Sequence, residues 1–553
     1  MKICAAIALC CVLVSALAVA PFFFMGQPLP GQSRWSLRMP DSHDMFLQYD
    51  QMRDFYRGLA AGEVYPRWEE DTNRGYGAPT TCFYPPGVYY ITSPIHLLFS
   101  DWTVVLLVTY LAVMSASAGA SYLLARRWMS REAAAVAAIA YVWFPYHAID
   151  QYDRGALAEL LCFVWMPLTL FFVDRLLSGR KSRVLPAVGL ALSYGSFLWS
   201  HPPTAYQFSL TIAPFVPALA WSRRDWKGLV WACAGFALGA GLSAAYLYPA
   251  AMEQNLIRHE ILDKIWPYHA TYLFMYAGYS QSYYEFFQRL NVSWCLSVAA
   301  IVAAIPALWK RRGPFWFLTG VGSFAAFLML RFSAPIGRRI PRIEIGVFSW
   351  RMLAITTLVA ALLAGVVTEA ALEAWRSRSR GRCTAYGILG GVVLLAGIGF
   401  TIGGVMAPAN ERVAFRPPRE HTNYAIIPRS APAETDEMIA MPRALLDGAD
   451  GRVSVREWKP QHRVMDVAAP ASARLVVRTF NYPGWSAKVD GHAAALATDN
   501  ATGAILMAIP AGEHSVTLDF LDTPVRTRGV WITLLSFVTL LACGAIALTA
   551  RVL

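Results

Sequence analysis

Of the 553 residues, 56% are hydrophobic and 15% are charged, and the formal net charge is +12. A soluble domain carries about 25% charged residues, so a soluble globular chain is excluded. Lys and Arg sit mainly in short connections between apolar runs, which makes the positive charge a membrane-topology signal and leaves no nucleic-acid-binding face.

The N-terminal run MKICAAIALCCVLVSALAVAPFFF has the build of a signal peptide, with Ala18, Val19 and Ala20 as a cleavage-like site. Pro21 follows directly and hinders cleavage, so an uncleaved first span is expected. Behind it comes a polar stretch, residues 40–95, with acids, a His, a Pro-Arg-Trp turn, a Gly-rich turn and the aromatic run CFYPPGVYYITSPIHLLF. Within it, FYRGLAAGEVYPRW reads as an amphipathic helix with Phe55, Leu59 and Val64 as anchors, lying flat on the membrane interface. Phe83, Tyr84, Tyr89 and Tyr90 suit the headgroup level.

Further apolar runs fall near 101–125, 132–149, 156–173, 184–200, 205–221, 228–250, 291–309, 314–332, 347–373, 384–406 and 528–550. With the first, at 4–25, they make twelve, each near the roughly 20 residues of a membrane helix. Five basic connections alternate along the chain: Arg126, Arg127 and Arg131; Arg175, Arg180, Lys181 and Arg183; Arg223, Arg224 and Lys227; Lys310, Arg311 and Arg312; and Arg376, Arg378, Arg380 and Arg382. The alternation puts all five, and both termini, on the cytoplasmic side. Residues 26–100, 150–155, 201–204, 251–290, 333–346 and 407–527 then face the periplasm or exterior of a bacterium.

Residues 407–438 are Pro-rich and irregular in pattern. The stretches RLVVRTF, WSAKVDG, AILMAIP and HSVTLDF that follow alternate or carry β-branched residues between Gly and Pro punctuation, which reads as a small β-sandwich. The expected fold class is a polytopic α-helical membrane protein of about twelve transmembrane helices with a C-terminal extracytoplasmic β-sandwich. Its organisation is a transmembrane domain over 1–406, a β-rich domain over 407–527 and a last span over 528–553. Nine cysteines lie mostly inside apolar runs, with no CxxC or His/Cys ligand spacing, so neither a disulfide framework nor a zinc site is expected.

The polar clusters gather on the outward side. Asp41, His43 and Asp44 follow the first span. Asp150, Tyr152, Asp153 and Arg154 form a short turn, and Glu159, inside the next apolar run, can pair with Arg154. His201 caps a helix in WSHPPTAY, and Tyr246, Tyr248 and Glu253 end a span. Arg351 lies a few residues into a span, where an arginine needs a partner or a phosphate. Arg331, Arg338, Arg339 and Arg342 sit in RFSAPIGRRIPRIEIG, and guanidinium forks of this kind suit phosphate. Carriers scatter ionisable groups through the membrane midplane; here they cap the helices at one interface.

Eight elements occur in order: HD, G…YPRW, GYGAP…FYPPGVYY, PY…DQYDRGALAE, SHPPT, YLYPAAME, FSWRML, and NYPGWSAKVDG with IPAGEHSVTLDF. In this set the chain resembles the bacterial membrane proteins labelled 6-pyruvoyl-tetrahydropterin synthase-related, and the YfhO-type proteins. These are similar to the GT-C glycosyltransferases. The resemblance covers nearly the whole chain, although no residue pattern here points to pterin chemistry. It implies a sugar taken from a polyprenyl-phosphate donor on the non-cytoplasmic face, with the catalytic acid in the first outward loop. Asp44 then stands as the general base and Asp41 as the second acid. His43, Arg154, Arg351, Arg338, Arg339, Arg342, Glu159, His201 and Glu253 stand as donor-phosphate or substrate-binding residues. Members often carry a His four residues after the HD acid; Gln48 occupies that position here. No cofactor is therefore expected, with a divalent metal as the open alternative.

The expected function is a glycosyltransferase of the bacterial inner membrane. Its partners are a polyprenyl-phosphate-linked sugar, membrane lipid, and an envelope glycan, lipid or protein acceptor, with no nucleic acid. The alternative is a non-catalytic carrier of lipid-linked sugar, or a glycan-binding scaffold, on the same fold. The two differ in a structural requirement: a transferase needs Asp44, Arg154 and Arg351 to converge on one outward cavity that opens sideways to lipid.

Overall fold

The computed structural model describes residues 2–24, 27, 31, 33, 36–179, 182–258, 267–275, 281–309, 314–340, 342–409, 426–432, 441–448 and 450–552. Lys181, the basic connection Lys310, Arg311 and Arg312, and most of the Pro-rich segment 407–438 lie outside them.

Every apolar run forms helix. The helices used below are α1 (Lys2–Phe24), α2 (Met45–Ala60), α3 (Trp102–Ala125), α4 (Arg131–Trp143), α5 (Cys162–Leu176), α6 (Val184–Ser200), α7 (Pro202–Ile212), α8 (Trp226–Leu242), α9 (Ala244–Met252), α10 (Gln281–Leu308), α11 (Phe315–Leu328), α12 (Leu353–Arg376), α13 (Arg380–Phe400) and α14 (Pro524–Val552). Polar caps set several starts. The side chains of Asp101, Ser130 and Asp225 accept from the backbone N–H groups of Thr103, Ala133 and Gly228, donors the first turn otherwise leaves unmatched.

The count of twelve spans is not met. Among the described residues, seven helices are long and apolar enough to cross a membrane, or eight if the pair α8 and α9, bent by 73°, is one span. The reason is local. Phe144 and Pro145 end the run at 132–149 after α4, Pro214 follows the end of α7, and α6 and α11 are short. Length and hydropathy alone still make the chain a multi-pass membrane protein.

Burial separates the helices into two classes. The span Ser349–Arg376 has 89% of its apolar window buried, whereas Arg380–Ala409 and Pro524–Ala547 have 17% and 11%. A helix apolar all round and surrounded by protein is the centre of the bundle. The other two turn apolar side chains outward, as a lipid-facing helix does.

One end of the bundle closes on itself through the basic connections. Asp174, at the end of α5, accepts from Arg127 Nε (2.8 Å), Trp128 Nε1 (3.1 Å) and Arg223 Nη2 (2.8 Å). Arg183 donates to Asp225 at 2.8 Å, and Glu369 of α12 accepts from the Ser130 N–H at 2.7 Å.

At the other end stands the β-sandwich. Strands β1 (Ala444–Asp447), β2 (Arg452–Trp458), β3 (His462–Ala469), β4 (Ala473–Phe480), β5 (Trp485–Val489), β6 (His492–Ala494), β7 (Ala497–Thr498), β8 (Ala504–Ile509) and β9 (Gly512–Phe520) form two sheets. Their orders are β1-β4-β8-β7 and β2-β3-β9-β5-β6, antiparallel throughout. Burial along β3 alternates residue by residue, the period of a strand with one face in a core.

That core is shared with the first loop. Trp68 and Tyr76 belong to it, with Trp68 edge-on to Trp485 at 5.3 Å and Tyr76 stacked on Phe480 at 5.0 Å. Removing an aromatic side chain of this size from water contributes about 4–6 kcal/mol at most. Phe480 N–H donates to Tyr76 O at 2.9 Å, Arg67 N–H to Gln461 Oε1 at 2.9 Å, and Arg67 pairs with Asp522 at 2.8 Å. Gly77, at φ +77°, could not carry a side chain: a Cβ there would lie 2.2 Å from Trp68 Nε1.

The loop therefore departs from the interfacial helix expected of it. The helix is α2, ending at Ala60 ahead of the Gly62 turn, and Val64 is 87% exposed and anchors nothing. Tyr89 is fully buried and hydrogen-bonds Gln51, so it is a core residue and no part of an aromatic belt. The loop finds a protein surface to cover its apolar residues, which removes the need for lipid.

Candidate active site

The start of α2 is held by the turn that follows α4. His43 N–H donates to Asp153 O (3.0 Å) and Asp44 N–H to Arg154 O (2.8 Å). This close approach depends on Gly155 at φ +62°, where a Cβ would stand 2.1 Å from Ser42 Oγ. Asp44 is the N-cap residue of α2, yet its carboxylate makes no capping bond. Its side chain is 39% exposed and turns to Arg154, with Oδ2 3.8 Å from Nη2.

Behind Asp44 the charges are buried and paired, with Asp150 Oδ2 left without a hydrogen-bond partner among the described residues. Arg154 Nη1 donates to Asp150 Oδ1 at 2.8 Å and to Glu159 Oε2 at 2.5 Å. Glu159 Oε2 also accepts from Arg351 Nε at 3.0 Å, and its Oε1 from the Tyr146 hydroxyl at 2.8 Å. Arg351 sits in the turn before α12, donates to Gly346 O at 3.1 Å and lies 4.8 Å over the Phe348 ring. Glu159 thus joins two guanidinium groups, that of Arg154 five residues before it and that of Arg351 192 residues after it. Burial pushes the Asp150 carboxyl well above the usual range.

Arg154 and Arg351 meet on Glu159, and Asp44 stands 3.8 Å from Arg154. His201 stands within the field of the same group: burial and the Arg351 charge hold its imidazole well below its ordinary pKa. Its Nδ1 is used in a bond with Thr204 Oγ1 at 2.8 Å, capping α7. His43 is exposed, with its ring 5.1 Å from Phe286 and 5.9 Å from Tyr283 of α10. Asp41 is exposed one turn ahead of α2.

Two groups expected at the site lie elsewhere or at its margin. Glu253 accepts from Arg526 Nε at 3.0 Å and from the Thr523 hydroxyl, while Arg526 Nη2 donates to Pro483 O at 2.9 Å. This buried pair ties α9 to the base of the β-sandwich and does not join the Glu159 cluster. Arg338, Arg339 and Arg342 are exposed. Among the described residues, no group of three or more His, Cys, Asp or Glu side chains is arranged to hold a metal ion.

Three residues were not read from sequence as parts of this site. Arg289 of α10 pairs with Asp153 at 2.8 Å and so braces the turn that carries Arg154. A lone arginine at the edge of an apolar run was its only signal. Gln48, one helical turn after Asp44, donates to the Tyr84 hydroxyl at 2.8 Å. Tyr84 lies inside the protein, where burial and then the Asp44 charge raise its phenol pKa above the ordinary value. Its aromatic neighbours in sequence disguised it as a membrane-surface residue.

The profile of a family described as 6-pyruvoyl-tetrahydropterin synthase related domain, membrane protein, matches residues 81–404. No curated protein matches the chain in sequence. Among solved structures, the chain is similar to the oligosaccharyltransferase AglB from Archaeoglobus fulgidus, in complex with an inhibitory peptide and a dolichol-phosphate. The TM-score is 0.48 at 14% identity, over 74% of this chain and 56% of that one. It is also similar to the arabinofuranosyltransferase AftD from Mycobacteria, with TM-score 0.42, 17% identity, and coverage of 72% of this chain and 27% of that one. For ArnT from Cupriavidus metallidurans bound to undecaprenyl phosphate, the values are 0.40, 14%, 74% and 77%. The chain thus spans about half the length of the oligosaccharyltransferase and about a quarter of the arabinofuranosyltransferase.

Proposed function

Because the chain belongs to the 6-pyruvoyl-tetrahydropterin synthase related family of membrane proteins, we propose a reaction carried out at the membrane: transfer of a sugar from a polyprenyl-phosphate donor to a hydroxyl of an envelope glycan, lipid or protein. In this reading the loop-rich end faces away from the cytoplasm of a bacterium, and the basic connections and both termini lie inside, in the inner membrane. Asp44 takes the proton of the acceptor hydroxyl, whose oxygen attacks the anomeric carbon as the bond to the lipid phosphate breaks. Asp41 is the second acid near the entrance.

The observation that carries this reading is Asp44 itself. It is a partly exposed carboxylate, free of capping duty, held 3.8 Å from a guanidinium that is anchored from behind by Glu159. Such an acid meets a ligand from solvent or from the lipid edge. Charge balance assigns the arginines. Arg154 and Arg351 are engaged by Glu159, so they orient the acid. The exposed Arg338, Arg339 and Arg342 are the cations left to meet the leaving phosphate.

The test compares envelope glycans and glycolipids by mass spectrometry in a deletion strain complemented with wild type or with Asp44→Asn. A product present with wild type, and reduced about 10²–10⁴-fold with a normally expressed Asp44→Asn protein, is expected. Restoration by Asp44→Asn overturns the assignment of the base. Identical profiles in the deletion and wild-type strains turn the reading to the carrier or scaffold.

A further inference from the structure

Gln48 and Tyr84 present an incomplete hydrogen-bond pair beside Asp44. Gln48 is one helical turn beyond Asp44 on α2, with its N–H bonded to Asp44 O at 2.9 Å, so the two side chains share a face of the helix. Gln48 is 1% exposed and its Oε1 has no hydrogen-bond partner among the described residues. The Tyr84 hydroxyl accepts from Gln48 Nε2 at 2.8 Å, and its own proton has no acceptor among them. A buried polar atom left this way costs about 1–3 kcal/mol unless something fills it.

The pair is therefore short of one donor and one acceptor. The amide orientation does not alter this. As drawn, Gln48 Oε1 needs a donor and the Tyr84 O–H needs an acceptor. With the amide reversed, the Tyr84 proton goes to Oε1, and the free Nε2 needs an acceptor while the phenol oxygen needs a donor. A group that both donates and accepts completes the pair in either case. An alcohol does so; an ionised phosphate, which only accepts, leaves one position unfilled.

We propose that Gln48 and Tyr84 form a hydroxyl-binding site that seats one alcohol group of a neutral sugar or polyol beside the Asp44 carboxylate. Under the glycosyltransferase reading, on which this assignment of its ligand as the acceptor rests, the site positions a hydroxyl of the acceptor. The proposal itself concerns binding and stands or falls without turnover.

The experiment uses the full chain in lipid nanodiscs and a mixture of methyl hexosides and methyl pentosides as the probe, with binding read by saturation-transfer NMR. Wild type is expected to bind at least one of them. Tyr84→Phe, which keeps the ring and its stacking on Tyr89, and Gln48→Met are each expected to weaken binding about tenfold, the loss of one neutral hydrogen bond. Melting temperatures within a degree or two of wild type identify the loss as local. Wild-type affinity in both folded variants, or no glycoside bound by wild type, overturns the proposal. If no transfer is found in cells while glycoside binding is present and is weakened in both variants, the glycosyltransferase reading fails and the hydroxyl site remains.

Discussion

Asp174 and Asp44 lie toward opposite ends of the bundle, each facing arginine, and they are built differently. Asp174 is 3% exposed and both its oxygens are filled, by Arg127, Arg223 and the Trp128 indole. Asp44 is 39% exposed, and its nearest cation stands at 3.8 Å, beyond hydrogen-bond distance. One acid is consumed by the fold; the other is displayed by it. The difference lies in where the buried carboxylate sits. At the end that carries the first loop Glu159 takes the structural role, and this leaves Asp44 available.

The largest effect should come from removing the carboxylate that makes this division possible. Glu159→Gln leaves Arg154 and Arg351 buried and short of their shared partner, and should cost about 3–5 kcal/mol, read as a lowered thermal midpoint and poor yield. Asp174→Asn should cost less, about 1–2 kcal/mol, because its arginine partners are 23% and 25% exposed and water replaces part of what they lose. Asp44→Asn should change stability by no more than about 0.5 kcal/mol. If Asp44→Asn destabilises as much as Asp174→Asn in the same melting assay, Asp44 is a structural acid and the contrast disappears.

The loop behind Asp44 also carries a pH dependence. Burial pushes the carboxyls of Asp54 and Glu63 up to about 7 and that of Asp50 up to about 6. The folded loop therefore holds protons that the unfolded chain releases nearer its ordinary carboxylate range. The stabilisation is complete below about pH 4 and is lost as pH rises through about 6–7. Amide exchange in residues 45–82, corrected for its intrinsic rate, should show protection falling from pH 5 to pH 8. Protection that stays level across that range contradicts the assignment, and Asp54→Asn should flatten the profile.

Much of the fold was legible because its periods are local. The apolar runs and the alternating strands from RLVVRTF to HSVTLDF are helices and strands in the structure. The span count was not, since breaks such as the 73° bend between α8 and α9 divide runs that hydropathy alone joins. At the site, Asp44, Arg154, Glu159 and Arg351 could be singled out as ionisable groups next to or inside apolar sequence, where a partner is obligatory. Which partner each one takes could not be read. Glu253 satisfied the same criterion and pairs instead with Arg526, 273 residues away. Gln48 and Tyr84 are uncharged, so burial leaves no mark on their surrounding sequence; only the missing partners in the folded protein reveal them.

The joint between the first loop and the sandwich has a consequence for synthesis. Arg67 and Gln461, which meet there, are 394 residues apart. At about 5–20 residues per second, the ribosome needs roughly 20–80 s to travel that distance. Throughout that interval Trp68 and Tyr76 have emerged without the strands that cover them. This joint is begun among the first segments of the chain and finished among the last, so a nascent protein interrupted before β9 carries Trp68 and Tyr76 uncovered.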